Sequence, residues 1–251
     1  MTRLTDADLY SRGAKTLLAS WEAYALVSRG AAVIQSPGVA AAVFPYEPGR
    51  AFFNNALLEL DLSSCGRAGA LVAMQAAYAS AGITRFAAWV HESDQAMRED
   101  LEARGYAVQE STRAMGMALS DVRLPRPRIE LAPPDWSEYL RVIGLPSGFA
   151  CQVDQSAFHV LIAVLDGASA AAAMAFDLGD DCGIYNVVTL EHARRRGLGT
   201  ALTALLAYDA IARGCRTATL QSTPMAEGIY ATVGFRDLGR ILEYMPPDGP
   251  T

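Results

Sequence analysis

Apolar and polar residues follow two rhythms along this chain, one near the 3.6-residue period of a helix and one near the two-residue period of a strand. Ala14, Leu17, Leu18, Trp21 and Tyr24 recur at helical spacing behind Thr5, which suits an N-cap, so a helix is expected from residue 9 to about 28. Apolar runs at 31–35 and 39–44 flank Ser36-Pro37-Gly38 and predict a hairpin. A strand at 51–60 and a helix at 69–81, ended by Gly82, come next. A strand at 84–90, a polar-faced helix at 94–104 stopped by Gly105, and strands at 106–110 and 113–119 complete the first half. Pro125, Pro127, Pro133 and Pro134 then punctuate a linker-like segment, and a boundary is expected near 123.

The second half starts with a strand at 128–131 and a short helix at 136–142, and 145–155 reads as a loop. Runs at 159–165 and 170–176 around Asp166-Gly167 predict a hairpin. The next strand, from Gly183 to about Leu190, leads into a helix with Leu198, Leu202, Leu205 and Ile211 as its apolar stripe, ended by Arg213 and Gly214. A strand at 217–222, a helix at 226–233 and a strand at 240–245 close the chain.

Between the strand ending near Leu190 and the helix after it stands Arg194-Arg195-Arg196-Gly197-Leu198-Gly199-Thr200. Gly197 and Gly199 leave the backbone open where the first helical amides have no internal partner. Those amides and the positive end of the helix dipole suit a phosphate or pyrophosphate, and Arg194, Arg195 and Arg196 add charge. A P-loop is excluded because no Lys follows a glycine here, and Leu202 stands where a dinucleotide fingerprint needs its third glycine.

Arg194-x-x-Gly197-x-Gly199 after a strand resembles the acetyl-CoA motif of the GNAT acetyltransferase superfamily, Gln/Arg-x-x-Gly-x-Gly/Ala. Downstream, Tyr230 four residues before Gly234-Phe235 resembles the family's second signature. The resemblance implies acetyl-CoA as co-substrate and a small-molecule amine as acceptor. Val187, Val188 and Thr189 would pair with the pantetheine arm and polarise the acetyl carbonyl, the backbone of Arg195 to Thr200 would hold the pyrophosphate, and Tyr230 would be the catalytic acid. For the base, Glu191 at the end of the strand reads as a solvated residue and His159 as a packed histidine, while Asp154 and Asp177 are candidates with little to separate them. Thr223 departs from the Asn of many relatives, and with it the usual side-chain contact to the cofactor.

The two halves share an order of elements. A shift of 132 positions aligns Asn54 with Asn186 and sets Cys65 and Arg67 at the positions of Gly197 and Gly199. A shift of 129 aligns Gly105-Tyr106 with Gly234-Phe235 and puts Leu101 at the place of Tyr230. The chain therefore looks like a tandem GNAT protein of α/β (α+β) class, two domains each with a mixed, mostly antiparallel sheet flanked by helices. Residues 1–123 would be a degenerate copy without the acetyl-CoA motif, and 124–251 the acetyltransferase domain.

The 251 residues are 51% hydrophobic and 19% charged, enough for a sizeable core, and the net charge of -6 argues against nucleic acid as partner. Cys65, Cys151, Cys182 and Cys215 form no Cys-x-x-Cys pair, so neither a metal site nor a disulfide scaffold is indicated, and mostly buried thiols are expected. No apolar run of about 18 residues occurs and the N-terminus does not read as a signal, so no membrane partner is expected and the cytoplasm is the expected location. A homodimer stays open. The alternative to an N-acetyltransferase is a CoA-binding sensor or interaction module without turnover, and transfer of a longer acyl group is a further enzymatic reading.

Overall fold

The computed structural model describes residues 4–46, 48, 51–146 and 154–247, with Phe52 described in its backbone only. Most of the expected loop at 145–155, with Cys151, lies outside the described residues. The chain divides into two compact units, Met1–Ser20 with Arg113–Leu238, and Trp21–Thr112 with Gly239–Thr251.

The first unit opens with most of α1 (Asp6–Val27). Thr5 caps it reciprocally with Asp8: the Asp8 amide donates to Thr5 Oγ1 at 3.1 Å, and the Asp8 carboxylate accepts from the Thr5 amide at 2.9 Å. Its strands are β6 (Leu131–Ala132), β7 (Phe158–Leu165), β8 (Ala168–Leu178), β9 (Asp181–Thr189), β10 (Thr217–Ser222) and the end of β5 (Ala107–Ala118), in the order β5-β10-β9-β8-β7-β6. All pairs are antiparallel except β9 with β10. The hairpin expected around Asp166-Gly167 is the antiparallel pair β7-β8, with Asp166 at φ 54° in its turn.

Helices α4 (Trp136–Ile143), α5 (Leu198–Arg213) and α6 (Glu227–Val233) belong to this unit. Leu198, Leu202, Leu205 and Leu206 of α5 are buried with small alanines between them, which lets the helix lie close on the strands. Ile211, expected in that stripe, is 43% exposed. It stands thirteen residues after Leu198, and at about 100° per residue it comes round to the far face.

Asp181 starts β9 and is 2% exposed. Its carboxylate accepts from three hydroxyls, Thr16 of α1 at 2.7 Å and Thr217 and Thr219 of β10 at 2.5 and 2.9 Å. A buried carboxylate is tolerated only with such partners. The network ties α1, β9 and β10 together where the two strands are paired.

The second unit has β1 (Ala32–Ser36), β2 (Val39–Val43), β3 (Asn55–Leu58), β4 (Ala87–His91) and the end of β11 (Arg236–Met245), in the order β1-β2-β3-β4-β11. Here too a single pair, β3 with β4, is parallel. The strand expected at 51–60 is shorter: Ala51–Phe53 form a tight helical turn, and the Asn54 side chain accepts from the Phe44 amide at 2.8 Å before β3 begins. Helix α2 (Ser64–Ser80) starts earlier than expected because the Ser63 hydroxyl caps it, a signal outside its apolar stripe. The strands expected at 106–110 and 113–119 are the one strand β5, whose backbone stays extended through the polar Ser111 and Thr112. The core of this unit gathers Leu71, Met74, Tyr78, Met97, Leu101 and Tyr244 between its sheet and helices α2 and α3 (Gln95–Glu102).

Candidate active site

Strands β9 and β10 pair only at their beginnings, Thr217 with Asp181, Ala218 with Cys182 and Thr219 with Gly183. Beyond Gly183 each strand continues on its other neighbour: β9 stays paired with β8 as far as Thr189, and β10 with β5 as far as Ser222. The two therefore part, leaving an unpaired edge on the β9 segment that includes Val187, Val188 and Thr189, all half-buried. An unpaired strand edge inside a fold is a place for an extended ligand to add itself by main-chain hydrogen bonds.

At the end of β9 a tight turn, Glu191–Ala193, leads to Arg194, Arg195 and Arg196, all exposed. Arg194 Nε donates to the Thr189 carbonyl at 3.4 Å. Arg195 has φ 61° and Gly197 φ 76°. A left-handed conformation costs a side-chain-bearing residue about 1–2 kcal/mol, so the turn is held in a shape that glycine eases at 197 and that Arg195 adopts under strain. Gly197 is the N-cap of α5 and supplies no side-chain acceptor, so among the described residues the first-turn amides of Leu198, Gly199 and Thr200 receive no cap from their N-cap side chain. A Cβ on Gly199 would stand 3.7 Å from Thr189 Oγ1, 3.8 Å from Val187 Cγ1 and 4.0 Å from Ile229 Cδ1. The protein itself would accept that carbon, so the clearance matters to whatever approaches the backbone.

Tyr230 lies on α6, 6% exposed, with its ring edge-on to Phe235 at 6.1 Å between centroids. Burial pushes its phenol up to about 12, so it carries its proton through the neutral range. Arg113 of β5 pairs with Glu227 at 3.0 Å and with Asp237, holding the start of α6 against the end of β10. The structure thus brings β9, the arginine turn, the α5 N-terminus and α6 to one end of the unit.

Of the residues considered for the base, Asp177, His159 and Asp154 have partners of their own. Asp177, cross-strand partner of Cys182, binds Arg213 at 2.5 Å and stands 3.4 Å from His159. Arg213 closes the far end of α5, a helix about 24 Å long for its 16 residues. Asp154 accepts from the amide and hydroxyl of Ser156, and Glu191 is exposed in the turn after β9. Thr223 is exposed after β10, its carbonyl accepting from the Ala226 amide at 2.9 Å. Burial pushes the Cys182 and Cys215 thiols up, which makes them poor nucleophiles, whereas Cys65 is exposed. Among the described residues no group of acidic, His and Cys side chains could hold a metal ion, and no helix is long and apolar enough to cross a membrane.

Asn186, in the sequence only the counterpart of Asn54, has a structural role of its own. It takes φ 52° inside β9 and donates from its side chain to the Tyr139 hydroxyl at 3.0 Å. Asn within a β-branched run is the available signal, since few other residues accept that conformation.

The sequence model described as Acetyltransferase (GNAT) family matches residues 124–235. No curated protein gives a significant sequence match. Among solved structures, a GCN5-related N-acetyltransferase from Kribbella flavida superposes with a TM-score of 0.70 at 18% identity, over 94% of this chain and 97% of that one. A GCN5-related N-acetyltransferase from Sphaerobacter thermophilus gives 0.66 at 15%, over 98% and 90%. A tandem GNAT protein from the clavulanic acid biosynthesis pathway gives 0.62 at 16%, over 99% and 98%. At these identities the superpositions speak for the fold, and the family match for the segment that holds the parted strands and the arginine turn. Residues 124–235 of the chain are therefore similar in sequence to the GNAT acetyltransferase family, and the chain as a whole shares that family's fold.

Proposed function

We propose that the protein is an acetyl-CoA-dependent N-acetyltransferase acting on a primary amine of a small molecule or amino-acid-like compound. The observation that carries this reading is the parting of β9 from β10 beyond Gly183, with the uncapped N-terminus of α5 at its mouth. The pantetheine arm would run along Val187, Val188 and Thr189 as an added strand. The pyrophosphate would sit on the amides from Arg195 to Thr200, including Gly197, Leu198 and Gly199, with Arg194, Arg195 and Arg196 supplying charge.

In the reaction the neutral amine attacks the thioester carbonyl, a backbone N–H of β9 steadies the negative charge that forms on oxygen, and the thiolate leaves. Tyr230 gives that thiolate its proton. A thiol pKa of about 8.5 makes this help modest, and an ammonium near 10.4 must first lose its own proton, to a side chain or through water. No metal enters this scheme.

We further propose that residues 1–123 are a degenerate copy of 124–251. Elements β1-β2-β3-α2-β4-α3-β5 repeat as β7-β8-β9-α5-β10-α6-β11, each with one parallel pair. Gly105 and Gly234 both have positive φ, and Tyr106 and Phe235 both donate their amides to the residue five before, Leu101 or Tyr230, at 3.1 Å. Where α5 is uncapped, Ser63 caps α2, and Arg67, at the place of Gly199, pairs with Asp100 at 2.6 Å. That ion pair occupies what the other copy leaves open.

The test is thiol release from acetyl-CoA against a panel of amines, with Tyr230→Phe beside the wild type. Amine-dependent release that slows in the variant supports the reading. Tight acetyl-CoA binding without release for any amine would turn the protein into a CoA sensor.

A further inference from the structure

In β8 and β9, Ala172 faces Val188 and Met174 faces Tyr185, so Asn186 and Val187 together stand opposite Ala173 alone. This is a β-bulge, and its extra residue changes the phase of everything after it. Before the bulge, Cys182 and Ile184 face the core under α5; after it, Val187 packs on that same core and Thr189 approaches Gly199 of α5. Uninterrupted alternation would have put Asn186 and Val188 there instead. The phase also sorts the backbone. Leu190 donates its amide to Ala170 of β8 at 2.9 Å, so by alternation Val188 turns its groups towards β8 and Val187 and Thr189 turn theirs towards the open edge.

The bulge has a specific restraint. Asn186 donates to the Tyr139 hydroxyl at 3.0 Å, and that hydroxyl donates to Met174 Sδ at 3.6 Å. Tyr139 and Met174 are 1% exposed, so both ends are fixed by packing. Tyr139 belongs to α4, which packs on β8 and β9 from the side that Asn186 faces. We propose that Asn186 and Tyr139 are a positioning pair: their hydrogen bond sets the phase of β9 so that the backbone of Val187 and Thr189, and not that of Val188, meets the acyl-pantetheine arm. This rests on the reading of β9 as the donor strand.

Two variants remove the bond in different ways: Tyr139→Phe deletes only the hydroxyl, and Asn186→Gly deletes the side chain while keeping the left-handed conformation available. In the full-length protein, amide hydrogen exchange of the ligand-free chain should quicken over 186–190 in both variants and stay unchanged at 182–184. Acetyl-CoA should bind about tenfold more weakly, while 3′,5′-ADP, which reaches the arginine turn but lacks the pantetheine arm, should bind as to the wild type. The double variant should lose no more than either single one, because both remove one interaction. Unchanged exchange over 186–190, or equal loss for acetyl-CoA and 3′,5′-ADP, would overturn the pair's positioning role. A wild type that binds neither ligand would refute the donor site, and with it the pair's role towards the arm, while altered exchange would still establish the restraint on β9.

Discussion

Tyr230 and Glu243 show what burial does to single titrating groups. The Tyr230 phenol, pushed up to about 12 by burial, keeps its proton at neutral pH and is a proton donor there. Tyr230→Phe should lower kcat tenfold or more and leave the acetyl-CoA dissociation constant within about twofold, because a general acid acts in the transition state only. An unchanged kcat would remove Tyr230 from the chemistry. In the second unit, burial and then the neighbouring Glu110 charge push the Glu243 carboxyl up to about 7 from an ordinary 4.5. The folded chain holds this proton more tightly than the unfolded one, so the contribution to stability is complete below about 4.5 and is lost as pH rises through about 7. Glu243→Gln should therefore raise the thermal midpoint over the wild type by more at about pH 8 than at about pH 5. An equal difference at both would contradict the assignment.

At the scale of elements, the opening between β9 and β10 depends on what holds their other ends together. Asp181 joins them to α1 through Thr16, Thr217 and Thr219. Asp181→Ala would strand three buried hydroxyls and should cost about 3 kcal/mol, read as a lower urea midpoint at unchanged slope. A loss under about 0.5 kcal/mol would mean the network contributes little. The sequence made much of this end of the unit legible, because Gly197 and Gly234 mark conformations that few residues can replace, and the strand and helix periods around them are strong. It hid the role of Asn186, whose bulge breaks the two-residue period within an unbroken apolar run. It also hid Thr16, since a threonine on a helix gives no sign of a carboxylate more than a hundred residues away.

For the whole molecule, the order of elements along the chain is not the order of the compact units. The first unit takes α1 up to Ser20 and β5 from Arg113, and the second takes β11 from Gly239. The proline-rich segment near 123 was visible as composition, whereas the assignment of β5 and β11 is a matter of long-range pairing that no local pattern encodes. A fragment of residues 124–251 would lack Thr16 and the six residues from Arg113 to Ala118 that pair with β10. It should be aggregated or protease-sensitive, because an uncovered central strand invites association. A monomeric, cooperatively unfolding fragment would show that these elements are dispensable. The central claim, that the donor lies on the arginine turn, is tested most directly by calorimetric titration of acetyl-CoA into the wild type and Gly197→Glu, with circular dichroism to follow the fold. The account predicts binding to the wild type and loss of at least about 100-fold in the variant, in which a carboxylate and a strained φ replace an open amide cradle. Equal binding by both proteins would contradict it.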